Sequence, residues 1–243
     1  MWISLGITVI RNAAQKQALI FTPVLILLLG GHFQGQSPKP EGMPRRVRPE
    51  LVLLIDINHD QEKVFRVEQS LALEVVHKLA ENGSLFSVIT FRSGGPSEIK
   101  SEVPADEALA AIKDLILEVS RKENTAPPKL YEALIVAESA FSHDASGRAV
   151  LVISGGREDL DGKRFKHIRS AFITQQIACH VAIVSSHPLY GTKGIQVRGF
   201  YLHDLARETR GKYVELGTNE KKVQPAVQKL TEQILQQEQA HVR

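Results

Sequence analysis

The sequence predicts a doubly wound α/β domain, in which a mostly parallel central sheet carries helices on both faces. Three observations lead there. Residues 50–57 (ELVLLIDI), 84–91 (SLFSVITF), 148–154 (RAVLVIS) and 178–185 (ACHVAIVS) are nearly continuous apolar runs. They lack the alternation of a half-wetted strand, so they fit strands buried on both faces. Amphipathic stretches separate them, and the strict alternation of the two kinds is the pattern of a parallel sheet with crossover helices.

Each element has its own local reason. Residues 61–83 place Val64, Val67, Leu71, Val75 and Leu79 three or four apart, with Asp60 as the expected N-cap and Gly83 as the stop. After the strand at 84–91, RSGG (92–95) reads as a turn and residues 97–103 as a short edge strand. Pro104 and Asp106 open a helix expected to run to about Val119. The stretch APPKLYEALIVAESAF begins another, with its prolines at the first turn. A helix follows each of the last two core strands, and Gly211 ends the second of them. KYVEL (212–216) is a last short strand, and a polar helix from Val223 completes the domain, which is expected over residues 49–240.

The N-terminus has a different character. Residues 1–17 carry Arg11 and Lys16 and no acid, and residues 18–31 (ALIFTPVLILLLGG) form an apolar block shorter than the ~20 residues of a spanning helix. Residues 1–36 therefore read as a signal peptide or an N-terminal membrane anchor, and 37–48 as a Pro- and Gly-containing linker. The chain is expected to be secreted or extracytoplasmic, tethered through residues 18–31 if the leader stays uncut.

Composition excludes several roles. The 30 basic and 27 acidic residues are interspersed, and no basic run is interleaved with aromatics, so nucleic acid is not an expected partner. The single cysteine, Cys179, forbids an intrachain disulfide and sits in an apolar strand as a small hydrophobe. No Gly-x-Ser-x-Gly elbow or phosphate loop is present. That leaves an α/β hydrolase without a nucleophile, and no enzyme is expected.

The first core strand ends in Asp56, and Asn58 and Asp60 follow it, oxygen-bearing side chains at alternate positions with His59 between the last two. In open parallel sheets ligands bind at the carboxyl ends of the strands, so this spacing suggests a cation site. With VLLIDINHD stand three more stretches: PPKLYEAL, RAVLVISGGRED and LHDLARETRGKYV. Together, in that order, they resemble a von Willebrand factor A-type (VWA) domain, a Rossmann-like fold, over about residues 47–240. The resemblance implies a magnesium site built from Asp-x-Ser-x-Ser on one loop, a Thr on a second and an Asp on a third, with a partner's carboxylate completing it.

Matched residue by residue, Asp56 holds the first Asp position, with Asn58 and Asp60 at the two serines. Pro128 stands at the Thr, beside Lys129, and Gly155 stands at the third-loop Asp. Glu158 or Asp159 could substitute only after a loop shift, which magnesium's rigid octahedron disfavours. The expectation is a metal-free, non-enzymatic protein-binding module with a degenerate site. Asn58, His59 or Lys129 would then relieve the repulsion between Asp56 and Asp60. The alternative is Mg2+-dependent adhesion through Asp56, Asn58, Asp60 and Asp159. The expected partner is another protein, met by a rim of His59, Lys129, Tyr190 and Arg198. Of these, Tyr190 and Arg198 lie in the long loop 185–201, and His59 reads as an exposed loop histidine.

Overall fold

A computed structural model describes residues 49–59, 61–119, 126–142, 145, 147–157, 159–185 and 200–241. The expected leader and linker lie outside these residues, as do Asp60, Glu158, Tyr190 and Arg198. The elements are β1 (Glu50–Asp56), β2 (Asn58–His59), α1 (Glu62–Ala80), β3 (Leu85–Arg92), β4 (Gly95–Val103), α2 (Ala105–Lys113) and β5 (Glu118–Val119). They continue with α3 (Leu130–Ser139), β6 (Arg148–Ser154), α4 (Gly162–Thr174), β7 (Ile177–Val184), α5 (Phe200–Glu208) and β8 (Tyr213–Leu216). A 3-10 turn at Glu220–Lys222 leads into α6 (Val223–His241).

Six strands form one sheet in the order β4-β3-β1-β6-β7-β8. Every pairing is parallel except that of β3 with the edge strand β4. Successive side chains of a strand point to opposite faces, and the core divides accordingly. Leu51, Leu53 and Ile55 of β1 pack with α1, α2 and α6, whereas Val52 and Leu54 pack with α3, α4 and α5. Because both faces are covered, each central strand reads as a solid apolar run. The predicted fold class is the observed one.

Three local expectations are corrected. α2 ends at Lys113 rather than near Val119. The chain then turns so that Glu118 donates its N–H to Ile57 O at 2.9 Å, and Glu118–Val119 pair with Asn58–His59 as a small parallel ribbon. The N-cap of α1 is Gln61, one residue after Asp60, and it makes no side-chain cap bond. Pro127 and Pro128 precede α3 instead of occupying its first turn, and Lys129 is its N-cap.

The α5–β8 connection shows why LARETRGKY has its composition. Thr209 Oγ1 donates to Leu205 O at 2.8 Å and accepts from Cys179 N of β7 at 3.0 Å. That hydroxyl ties the helix end to the sheet. His180, also on β7, is fully buried; its Nδ1 accepts from Lys212 N and its Nε2 donates to Gln237 Oε1 of α6, both at 3.1 Å. Burial pulls its pKa down to about 4, so the ring is neutral at physiological pH. Cys179 is buried as expected, and burial pushes its thiol pKa up, which keeps it protonated and inert.

Candidate functional site

The chain runs from β1 to β3 on one side and later returns to place β6 on the other side of β1. The carboxyl ends of β1 and β6 therefore mark the point where strand order reverses, the place where open parallel sheets bind ligands. Asp56 closes β1 there and is 1% exposed. Its Oδ1 accepts the backbone N–H of Asn58 at 2.9 Å, which bends the chain into β2. Its Oδ2 accepts from Ser154 Oγ at 3.4 Å, and that oxygen in turn accepts from Gly156 N at 3.1 Å. One carboxylate thus stitches the two loops at the strand ends.

His59 is the main correction to the sequence reading. Expected as an exposed rim residue, it is 4% exposed. Its Nε2 lies 2.6 Å from Glu68 Oε2 and 3.1 Å from the backbone O of Asp56. With its Nε2 protonated, the ring donates to both oxygens. Glu68, which sequence reasoning missed, is fully buried on α1. A signal was present: Glu68 falls in the apolar stripe Val64, Leu71, Val75, where a carboxylate at helical spacing needs a buried partner.

The ring also packs against the third loop. A Cβ built on Gly155 would lie 3.4 Å from His59 Cε1 and 3.5 Å from Nδ1. A side chain at 155 would therefore start in van der Waals contact with the imidazole.

The other predicted residues sit as follows. Asn58 is buried, and its backbone O accepts from Arg157 Nη2 at 3.4 Å. Asp159 Oδ1 accepts the Tyr131 N–H at 3.0 Å in the first turn of α3, and Oδ2 meets Arg164 Nη1 at 2.7 Å. Both of its oxygens therefore hold helices in place. Lys129, expected to lend charge to the site, pairs instead with Glu132 Oε1 at 3.2 Å on the half-exposed surface. Of the three residues expected to relieve the charge of Asp56, His59 and the Asn58 N–H do so, and Arg157 joins them. Among the described residues, no three His, Cys, Asp or Glu side chains are arranged to hold a metal ion.

The electrostatics follow from burial. Desolvation alone would lower the pKa of His59, but Glu68 and then Asp56 outweigh it and raise it to about 9. Burial pushes Glu68 up to about 7 against the pull of His59. Asp56 is also raised by burial, with His59, Asn58, Arg157 and Ser154 pulling it back.

A pH dependence follows. All three groups bind protons more tightly in the folded chain, so their contribution to stability is full at low pH and is lost as pH rises through the folded values. His180 has the opposite sign: its contribution is full above pH 6.5 and lost toward pH 4. Below pH 6.5 the two trends oppose each other. From there to pH 9 the histidine pair dominates, and the melting temperature is expected to fall. Thermal melts followed by circular dichroism should show this decline in the natural chain and a flatter profile in a His59→Gln, Glu68→Gln double variant.

No family profile and no curated protein matches this chain. Solved structures do match. BatB from Bacteroides thetaiotaomicron superposes with a TM-score of 0.56 at 17% identity, covering 76% of this chain and 98% of that one. The VWA domain of SpRpn10 gives 0.57 at 12% identity, covering 75% and 95%. An aerotolerance-related membrane protein from Bacteroides fragilis NCTC 9343 gives 0.54 at 17% identity, covering 76% and 98%. The sheet order and the buried carboxylate at its switch point define a Rossmann-like α/β domain. Within that class, the described chain has the VWA-type fold.

Proposed function

We propose that this chain is a non-enzymatic, extracytoplasmic protein-binding module of VWA type whose site works without a metal ion. The observation that carries the reading is the buried His59 imidazole, whose Nε2 lies 2.6 Å from Glu68 Oε2 and 3.1 Å from the Asp56 carbonyl. A protonated imidazole there supplies the positive charge that an external cation would otherwise bring to Asp56. Pro128 and Gly155 add no oxygen-bearing side chain to the site, and both carboxylate oxygens of Asp159 are already bonded. Lys129, on the surface close to the second loop, belongs to the proposed partner-facing rim together with Tyr190 and Arg198.

The extracytoplasmic assignment is supported by the basic and apolar leader in residues 1–36 and by the membrane protein among the structural neighbours. Residues 18–31 would act as the tether. The absence of a catalytic constellation in the sequence supports a binding role.

The test is a cation titration. A site filled at a hundred times its Kd would stabilise the fold by about 2.7 kcal/mol. The expected result is one melting temperature in EDTA and in millimolar Mg2+ or Mn2+, with no binding heat in calorimetry. A cation-dependent rise in melting temperature would instead establish the magnesium-dependent reading with Asp56, Asn58, Asp60 and Asp159 as ligands. For the binding role, the partner recovered from envelope extracts should be retained equally in EDTA and Mg2+, and its loss on chelation would overturn the metal-free version.

A further inference from the structure

A groove of about 430 Å3 runs between the outermost strand β8 and the start of α6. Its walls carry Lys212, Lys221, Lys222 and Lys229, contributed by the approach to β8, the 3-10 turn and α6. Among the described residues none of the four makes an ion pair with a carboxylate, so no described acid of this chain neutralises them. The lining holds one acid, Glu215, and its Oε1 accepts from Tyr213 Oη at 3.1 Å. Glu220 stands exposed at the neighbouring turn. The lining's charge, four lysines against one glutamate, is about that of the entire chain, whose formal net charge is +3. Val214 and Ala226, both buried, form an apolar floor with Pro225 beside them.

We propose that this groove binds an acidic, extended segment of a partner protein, whose carboxylates meet the four lysines and whose apolar side chain rests on Val214 and Ala226. Charge complementarity selects the class: a concavity lined by unpaired ammonium groups of one sign favours an anionic occupant. The apolar floor favours a peptide over a free inorganic anion, and concavity favours a chain over a flat bilayer. A segment lying between an edge strand and a helix also matches a recurring mode of peptide capture. The groove shares no lining residue with the site at Asp56, so the inference stands whether or not the rim near Lys129 is also a contact.

The test uses the full chain and a fluorescein-labelled peptide of alternating glutamate and leucine, read by fluorescence anisotropy. Replacing all four lysines by glutamine is expected to weaken binding about tenfold or more. Affinity in the natural chain should also fall with added salt. A Lys221→Glu, Lys222→Glu variant should lose the acidic peptide and gain a lysine–leucine one. Circular dichroism melts of each variant should match the natural chain, because these are surface positions; if they do not, the single replacements Lys222→Gln and Lys229→Gln, read the same way, decide. Equal affinity in natural and variant chains would overturn the proposal. Inorganic phosphate displacing the peptide at comparable concentration would overturn it in favour of a simple anion site. Lysine-dependent sedimentation with phosphatidylglycerol vesicles, without peptide binding, would overturn it in favour of a membrane surface.

Discussion

Replacing His59 by alanine is expected to destabilise the domain by about 3–5 kcal/mol, the range for removing one partner of a buried ion pair. Glu68 is fully buried and Asp56 is 1% exposed. Without the imidazole, both carboxylates would face each other across a cavity, with one oxygen of Glu68 already lacking a partner. Urea unfolding followed by circular dichroism measures the loss. A His59→Ala, Glu68→Ala double variant should lose clearly less than the two single losses added together, because the second change removes the stranded charge. The His59→Ala chain should also become sensitive to Mg2+, which the natural chain is expected not to be, since an external cation can then offset the two acids. A loss below about 1 kcal/mol for His59→Ala would mean the pair carries little charge and would remove the physical basis of the metal-free reading.

Gly211→Ala is expected to cost at least about 3 kcal/mol, at or beyond the usual limit for overpacking. A Cβ at 211 would lie 1.8 Å from the carbonyl oxygen of Cys179 and 2.4 Å from its carbon. Both atoms belong to the backbone of β7, so no side chain can move aside. The strand must shift, and Val181 N, which donates to Lys212 O at 2.7 Å, would shift with it. The preceding residue predicts the opposite sign. Arg210 has φ of 62°, in the left-handed region that costs a non-glycine residue about 1–2 kcal/mol. Arg210→Gly relieves that strain and returns part of the gain as unfolded-chain entropy, for a net stabilisation of up to about 1 kcal/mol. Side-by-side thermal melts of the two variants should move in opposite directions.

The same two positions mark how far the sequence could be read. Arg210 and Gly211 stand side by side between the helix and the last strand, and the sequence alone does not say what each position requires. The structure separates them: one position needs a backbone angle that arginine tolerates at a cost, whereas the other needs empty space beside β7. Likewise Asp56 was legible as the end of a buried strand at a ligand-bearing edge. The role of His59 was not, because its partner Glu68 lies on the following helix and only the packing of α1 on the sheet brings the two within 2.6 Å. Asp159, adjacent to the third loop in sequence, was a reasonable candidate for the site until the arrival of α3 and α4 gave its oxygens Tyr131 and Arg164.

Sequence by itself determined the layer architecture, the order of the main strands and helices, and the burial of Cys179. These follow from apolar periodicity, which is local and repeats along the chain. Tertiary structure alone decided what fills the site. Side-chain pairing across β2, α1 and the loop after β6 depends on distances between segments that periodicity does not encode. A buried glutamate can change a loop histidine from a solvent-facing residue into the resident positive charge of the site.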